Sequence, residues 1–161
     1  MRYVLIDKIT ELETGKNLKG IKNATFSDAL ARGGGAFLPA AFVLETMAQA
    51  AGLLVMTTIE CRAQPILSKI QQMKISGQAK AGERIQVSAD LCNLSDAGAK
   101  IFVEAHSDGA MKAEAEIFLA LIAFEKLSET NAFEHRQILH YRLADLFPKW
   151  FAKTEKQKAA I

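Results

Sequence analysis

The residues best suited to chemistry are a carboxylate and an amide placed one helical turn apart in an apolar run. Residues 37–59 read FLPAAFVLETMAQAAGLLVMTTI, and Glu45 is the only charged residue among them. A carboxylate in an apolar setting holds a proton readily and can act as a general acid or base. Gln49, four residues later, could orient that carboxylate or bond to a substrate. A second interpretation is also open, in which the helix dipole favours the Glu45 carboxylate near the start of a helix, where it faces a solvent-filled groove.

The other reactive residue types match no known site pattern. Cys61 and Cys92 have neither metal nor redox spacing, and the sequence predicts no metal site and no cofactor. The three histidines, His106, His135 and His140, are more typical of surface or interface positions. The run of three glycines at 33–35 lacks the Lys-Ser/Thr of a phosphate-binding loop, so we interpret it as a tight loop or a close approach to a ligand.

Length and composition are those of one soluble domain with an appendage. The chain has 161 residues, half of them hydrophobic, with 20 Lys and Arg against 18 Asp and Glu and a formal net charge of +2. The sequence shows neither a cluster of basic residues nor aromatic residues placed to stack on bases, so we do not expect it to bind nucleic acid. Arg2, Asp7 and Lys8 interrupt what would be the apolar core of a signal peptide, so we expect a cytoplasmic protein.

A long helix must carry Glu45 and Gln49. Pro39 begins it, at a position where the missing N–H costs little. The apolar run could cross a bilayer. A carboxylate within lipid costs several kcal/mol, however, and no Lys/Arg cluster flanks the run. We therefore predict no membrane span, but a helix wrapped by a sheet and covered by a partner.

The rest of the chain up to residue 126 predicts antiparallel strands. Residues 3–23 indicate a hairpin, and a loop from Thr25 to Leu38 precedes the helix, with Pro65 ending the connection after it. Alternating residues predict strands at 66–75, 84–92, 100–106 and 111–124, and Asp108-Gly109 is a strong hairpin signal. One long helix followed by such strands indicates an α+β domain with the helix packed on the sheet.

Residues 127–161 predict a separate amphipathic helix. Ser128 is a candidate N-cap, and one helical stripe carries the apolar residues Leu139, Leu143, Leu146, Phe147 and Trp150. The helix could dock on a membrane surface or a partner, but we favour a helix that covers the domain. The predicted division is a domain at 1–126 and a helical extension at 127–161.

The helix and its surroundings resemble a known family. The run Leu38-Pro-Ala-Ala-Phe-Val-Leu-Glu45-Thr-Met-Ala-Gln49-Ala-Ala-Gly52 resembles that of the 3-hydroxyacyl-[acyl-carrier-protein] dehydratases of fatty acid synthesis. The likeness continues through Ile21-Lys-Asn-Ala-Thr25, Ile70-Gln-Gln-Met-Lys-Ile, Ala81-Gly-Glu83 and Ser107-Asp-Gly109. It implies a hotdog fold, in which an antiparallel sheet wraps a long central helix, and the pairing of two such chains.

The resemblance also implies roles for individual residues. Glu45 falls on the catalytic carboxylate of the family and Gln49 on its glutamine. The backbone N–H of Ala40, directly after Pro39, falls where the family polarises the thioester carbonyl. Gly34 falls nearest the position of the catalytic histidine, which this chain lacks. The implied partners are an acyl carrier protein or an acyl-CoA thioester.

Three functions follow from the resemblance. The chain could be a dehydratase of 3-hydroxyacyl thioesters that is impaired alone, in fatty acid or polyketide-type synthesis. It could be an acyl thioesterase that uses Glu45 to activate water, or a non-catalytic subunit that pairs with a His-bearing hotdog paralogue. The assembly would be a homodimer or such a heterodimer. Basic residues near the matching segments, Arg32, Lys69, Lys74 and Arg84, are candidates for carrier-protein docking.

Overall fold

The computed structural model describes residues 5–30 and 36–123 of the chain. The predictions for Gly34, Arg32, His135 and His140 lie outside these residues. So does the helical extension at 127–161, and the division of the chain at residue 126 therefore stays a prediction.

Six antiparallel strands form one sheet in the order β1-β2-β4-β5-β6-β3. The strands are β1 (Lys8–Glu13), β2 (Asn17–Asn23), β3 (Ala63–Ile75), β4 (Arg84–Leu94), β5 (Gly98–Ser107) and β6 (Ala110–Ala123). The predicted hairpin of β1 and β2 is confirmed. So is the β5–β6 turn, where Asp108 and Gly109 both have positive φ, of 52° and 75°, as a two-residue hairpin turn requires.

The predicted long helix is α2 (Ala40–Thr58), and it packs against the sheet. Met47, Leu54 and Val55 on the helix are fully buried, as are Ile85 and Ile101 on the sheet. The helix is long and apolar enough for a membrane span, but 67% of its most apolar window is buried inside the protein. The predicted α+β arrangement is confirmed, and the apolar composition of α2 serves the core.

A short helix occupies part of the segment predicted as a loop. Helix α1 (Phe26–Leu30) begins with a reciprocal cap between Thr25 and Asp28. The Asp28 N–H donates to Thr25 Oγ1 at 3.1 Å, and the Thr25 N–H donates to Asp28 Oδ2 at 2.9 Å. A Thr followed three residues later by an acidic residue is a capping box with Asp in place of Glu, which is the signal that the sequence prediction missed.

Strand β3 begins earlier than predicted and includes Pro65, so the interpretation of Pro65 as the end of a connection was wrong. A proline fits here because β3 is an edge strand, where one ladder N–H is dispensable. The edge is also unusually apolar. Its exposed residues include Ile66, Leu67, Ile70 and Ile75.

Candidate active site

A cavity of about 440 Å³ lies at the N-terminal end of α2. Most of the side chains that line it are apolar. They come from the residues preceding and beginning α2, from the end of β3 and from β6, and they include Phe37, Leu38, Val43, Met73, Ile75 and Ala113. The predicted substrate-binding residues Pro39 and Ala40 also line the cavity. The cavity therefore offers an apolar compartment that ends at a helix N-terminus.

The N-terminus of α2 is open to this cavity. Pro39 is the N-cap residue, and no side chain in the part of the chain that the structure describes caps this end of the helix. The first backbone N–H groups of a helix have no partner within the helix, and they carry the positive end of its dipole. Ala40 is exposed, and its N–H is the first of these groups. Such a site suits a carbonyl oxygen that gains negative charge during a reaction.

Backbone hydrogen bonds hold the approach to α2 in place. The Leu38 N–H donates to the Ala79 carbonyl at 2.8 Å, and the Ala81 N–H donates to the Ala36 carbonyl at 3.0 Å. Phe37 forms an isolated bridge with Lys80, whose Nζ lies 5.6 Å from the centre of the Phe37 ring. These contacts fix the direction in which the chain enters the helix, and hence the position of the Ala40 N–H.

Glu45 and Gln49 form a hydrogen-bonded pair on α2. Gln49 Nε2 donates to Glu45 Oε1 at 3.0 Å, and Gln49 Oε1 accepts the Leu5 N–H at 2.9 Å. The N-terminal segment therefore holds the oxygen of the Gln49 amide, and the nitrogen of the same amide points toward the Glu45 carboxylate. The contact holds the amide beside the carboxylate, and the orienting role of Gln49 stays a prediction. Glu45 itself is exposed, so the described residues do not supply the apolar setting expected for it.

Residues 5–30 and 36–123 of one chain do not bring the two halves of the predicted site together. Glu45 and Gln49 are not among the residues that line the cavity. Glu45 lies about 7.5 Å farther along the helix than Ala40, and it projects about 160° away from the cavity-lining Val43 around the axis. The carboxylate therefore faces away from the cavity of its own chain.

His106 is not among the residues that line the cavity. It lies on β5 between Ala105 and Ser107, which are both buried on the side of the sheet that packs on α2. Because side chains alternate along a strand, His106 faces the other side of the sheet. It therefore lies across the sheet from Glu45.

A largely buried polar cluster beside the cavity was missed by the sequence analysis. It consists of Glu83, Ser107 and Lys112, with Lys112 Nζ 3.5 Å from Glu83 Oε2. Burial opposes the charge on Glu83, but the Ser107 hydroxyl, a backbone N–H of Lys80 and the Lys112 ammonium outweigh it and hold the pKa of Glu83 below its ordinary value. Lys112 also lines the cavity.

The candidate docking residues of β3 lie beside residues of β6. Lys74 Nζ lies 3.7 Å from Glu114 Oε1, and Lys69 Nζ lies 5.8 Å from the centre of the Phe118 ring. Neither residue lines the cavity, and nor does Arg84. In the part of the chain that the structure describes, no group of three or more His, Cys, Asp or Glu side chains could hold a metal ion.

Curated relatives of the chain share one description. A 3-hydroxyacyl-[acyl-carrier-protein] dehydratase FabZ of Thiobacillus denitrificans is 32% identical over 126 residues, which cover 74% of this chain and 87% of that protein. The FabZ of Acetivibrio thermocellus is 30% identical over 128 residues, covering 77% and 88%. No family model matches the chain.

Solved structures similar to the chain have the same fold. A hot-dog-like protein of Thermanaerovibrio acidaminovorans has a TM-score of 0.62 and 15% identity, covering 77% of this chain and 93% of that one. A Streptococcus mutans protein bound to acetyl CoA also has a TM-score of 0.62, with 10% identity and coverage of 76% and 94%. The hotdog fold implied by the sequence is confirmed.

Proposed function

Because the chain belongs to the 3-hydroxyacyl-[acyl-carrier-protein] dehydratase family, we propose that it binds and dehydrates 3-hydroxyacyl thioesters at the α2 cavity. The substrate is carried by an acyl carrier protein or by CoA, in fatty acid or polyketide-type synthesis in the cytoplasm. The reaction removes a proton from carbon 2 and a hydroxide from carbon 3, so it needs a base, an acid and a stabilised thioester oxygen.

The observation that carries the proposal is the uncapped N-terminus of α2 at the end of an apolar cavity. The Ala40 N–H would bind the thioester oxygen and stabilise the charge that grows on it as the carbon 2 proton leaves. The apolar walls would hold the acyl chain, and Pro39 would shape the approach to that N–H. Glu45 would be the acid/base, oriented by Gln49 at 3.0 Å.

A second hotdog chain would complete this site. Glu45 faces away from the cavity of its own chain, so the carboxylate would serve the cavity of a partner. Strand β3 supports such pairing because it is a 13-residue edge strand with exposed apolar residues. Free edges of this kind are normally covered, and an antiparallel copy of β3 would extend the sheet across two chains. Met73 and Ile75 of β3 line the cavity, which puts it next to this edge.

The missing histidine determines how well the protein works alone. The loop before α2 has Gly34 nearest the histidine position, so a pair of identical chains would keep Glu45 but lack the second acid/base. Losing such a group costs about 10²–10⁴-fold in rate. A His-bearing hotdog paralogue would supply it, and Glu45 of this chain would complete the partner's pair across the interface.

Dehydration of a 3-hydroxyacyl carrier protein, followed through the absorbance of the enoyl product, tests the proposal. We expect slow turnover by the protein alone and a large increase on adding a His-bearing hotdog chain. Glu45→Ala should abolish that increase, whereas Glu11→Ala, which changes an exposed carboxylate on β1, should not. Gly34→His should raise the rate of the protein alone.

Two results would contradict the proposal in different ways. A normal dehydration rate by the isolated protein would show that the second acid/base is not missing. Release of free thiol from the acyl thioester, dependent on Glu45 and without enoyl product, would identify a thioesterase instead.

A further inference from the structure

We propose that Lys112 forms a subsite in the α2 cavity that binds the hydroxyl group of a hydroxyacyl thioester, with Glu83 holding the lysine from behind. The inference rests on the proposed function and adds the residue that distinguishes a hydroxylated acyl group from a plain one. It is carried by a β-bulge, by the ion pair of the lysine with Glu83, and by the position of one cation in an apolar wall.

A bulge in β6 turns Lys112 toward the cavity. Ala113 pairs with Ala105 and Met111 pairs with His106, so the register between β5 and β6 skips Lys112. Regular alternation would place Lys112 on the side of the sheet opposite the buried Ala113. The extra residue instead lets both side chains line the same cavity, as bulges near functional sites commonly do.

The main chain fixes the bulge from the other side. The Ser76 and Gly77 N–H groups both donate to the Lys112 carbonyl, at 2.9 Å and 3.1 Å. A Cβ added at Gly77 would lie 3.5 Å from Lys112 Cδ, so the lysine stem packs along this glycine. The lysine is therefore held against the cavity wall, with its side chain 14% exposed.

The ion pair behind Lys112 leaves hydrogen-bond donors of its ammonium for the cavity. Lys112 Nζ lies 3.5 Å from Glu83 Oε2, close enough for charge attraction but too long for a good hydrogen bond. Glu83 does not line the cavity, and its Oε2 is buried. A lysine ammonium carries three N–H donors, so donors remain for a ligand in the cavity.

A hydroxyl group fits this lysine better than a carboxylate or an alkyl group. The Lys112 ammonium only donates hydrogen bonds, and a ligand hydroxyl can accept one. A ligand carboxylate would be repelled by Glu83 behind the lysine, and an alkyl chain would offer the ammonium no acceptor. Lys112 is the only charged side chain among the described residues that line the cavity, so the discrimination would depend on it.

Binding of two CoA thioesters of equal chain length, one 3-hydroxyacyl and one saturated acyl, tests the subsite by calorimetry. We expect the wild-type protein to bind the hydroxylated ligand about ten-fold more tightly, the value of one charge-assisted hydrogen bond after desolvation. Lys112→Met should remove this preference and leave binding of the saturated ligand unchanged. Lys80→Met is the matched control, because Lys80 lies beside Phe37 but does not line the cavity.

The outcomes separate this inference from the proposed function. Equal binding of both ligands by the wild type, or equal weakening of both by Lys112→Met, would overturn the subsite alone. Binding of neither ligand would overturn the proposed function and the subsite with it. If Lys112→Met fails to fold because Glu83 is left unpaired, the double variant Lys112→Met with Glu83→Gln carries no buried charge. A hydroxyl preference retained in that variant would also overturn the subsite.

Discussion

Replacing Lys22 with methionine should destabilise the protein far more than replacing a surface lysine on the same hairpin. The Lys22 side chain is 9% exposed, and its Nζ lies 3.4 Å from Asp28 Oδ2 and 3.6 Å from Asp7 Oδ1. Asp28 caps α1 and Asp7 accepts the Asn23 N–H at 2.6 Å, so both carboxylates are fixed in place. Methionine would leave two carboxylates without their shared cation.

The structure sets the size of this effect. Removing one member of a buried ion pair costs about 3–5 kcal/mol. The Asp7 side chain is 34% exposed, so water would solvate part of the charge left behind. We therefore expect the free energy of unfolding to fall by about 2 kcal/mol. Lys16→Met is the control, because Lys16 and Glu13 are 67% and 59% exposed, and such surface pairs contribute under about 1 kcal/mol.

Urea unfolding of the wild type and both variants between pH 7 and pH 3 measures the effect. Burial opposes the charge on Asp28, but hydrogen bonds from Thr25 and the charge of Lys22 outweigh it, so the pKa of Asp28 is lowered by folding. A carboxyl with a lowered pKa stabilises the fold above its unfolded pKa of about 3.9 and loses that contribution as pH falls through its folded pKa. The Lys22→Met deficit should therefore be full at pH 7 and shrink below about pH 4.

Two results would refute this reasoning. A Lys22→Met variant as stable as Lys16→Met at pH 7 would show that the cation is not needed to offset the two carboxylates. A deficit that stays constant as the pH falls to 3 would show that lost packing of the lysine stem, and not charge, causes the destabilisation.

Two further predictions concern the sheet and its edge. A Cβ at Gly98 would lie 2.5 Å from the Leu119 carbonyl oxygen, whereas one at Gly52 meets nothing within 4 Å. In thermal unfolding, Gly98→Ala should lower stability by about 1–3 kcal/mol, and Gly52→Ala in α2 should raise it by about 0.5–1 kcal/mol; equal effects would contradict the steric argument. If two chains pair through β3 as proposed, Ile70→Lys on the β3 edge should leave only monomers in sedimentation velocity, whereas Phe26→Lys on α1 should keep the pair.

Residue patterns were enough to predict the parts of the fold that repeat regularly. The alternating residues at 84–92 predicted strand β4, and Ile85, Val87 and Ala89 form its buried face. The apolar run around Glu45 predicted a buried helix because a charged residue and an amide do not suit a bilayer. Helix α1 was missed, although Thr25 and Asp28 had the spacing of a cap, because its five residues are too few to show a period.

The polar cluster of Glu83, Ser107 and Lys112 beside the cavity could not be predicted in the same way. Lys112 follows a turn and precedes the alternating Ala113 and Ala115, so the period of the strand assigns it to the outer face. Only the register between β5 and β6 reveals the bulge that turns it inward. Glu83 and Ser107 are 24 residues apart in sequence, and pairing of β4 with β5 brings their ends together. Such contacts depend on tertiary structure.

The placement of Ala40 and Glu45 on two faces of α2 follows from helix geometry. The Ala40 N–H has no partner within the helix because it lies in the first turn, and a carboxylate beside it would compete with a thioester oxygen for the positive end of the dipole. Glu45 lies more than a turn later and on another face, which removes that competition within one chain. In the function proposed above, the carboxylate would act in the cavity of a second chain, so Glu45 would keep a use in a chain without the loop histidine.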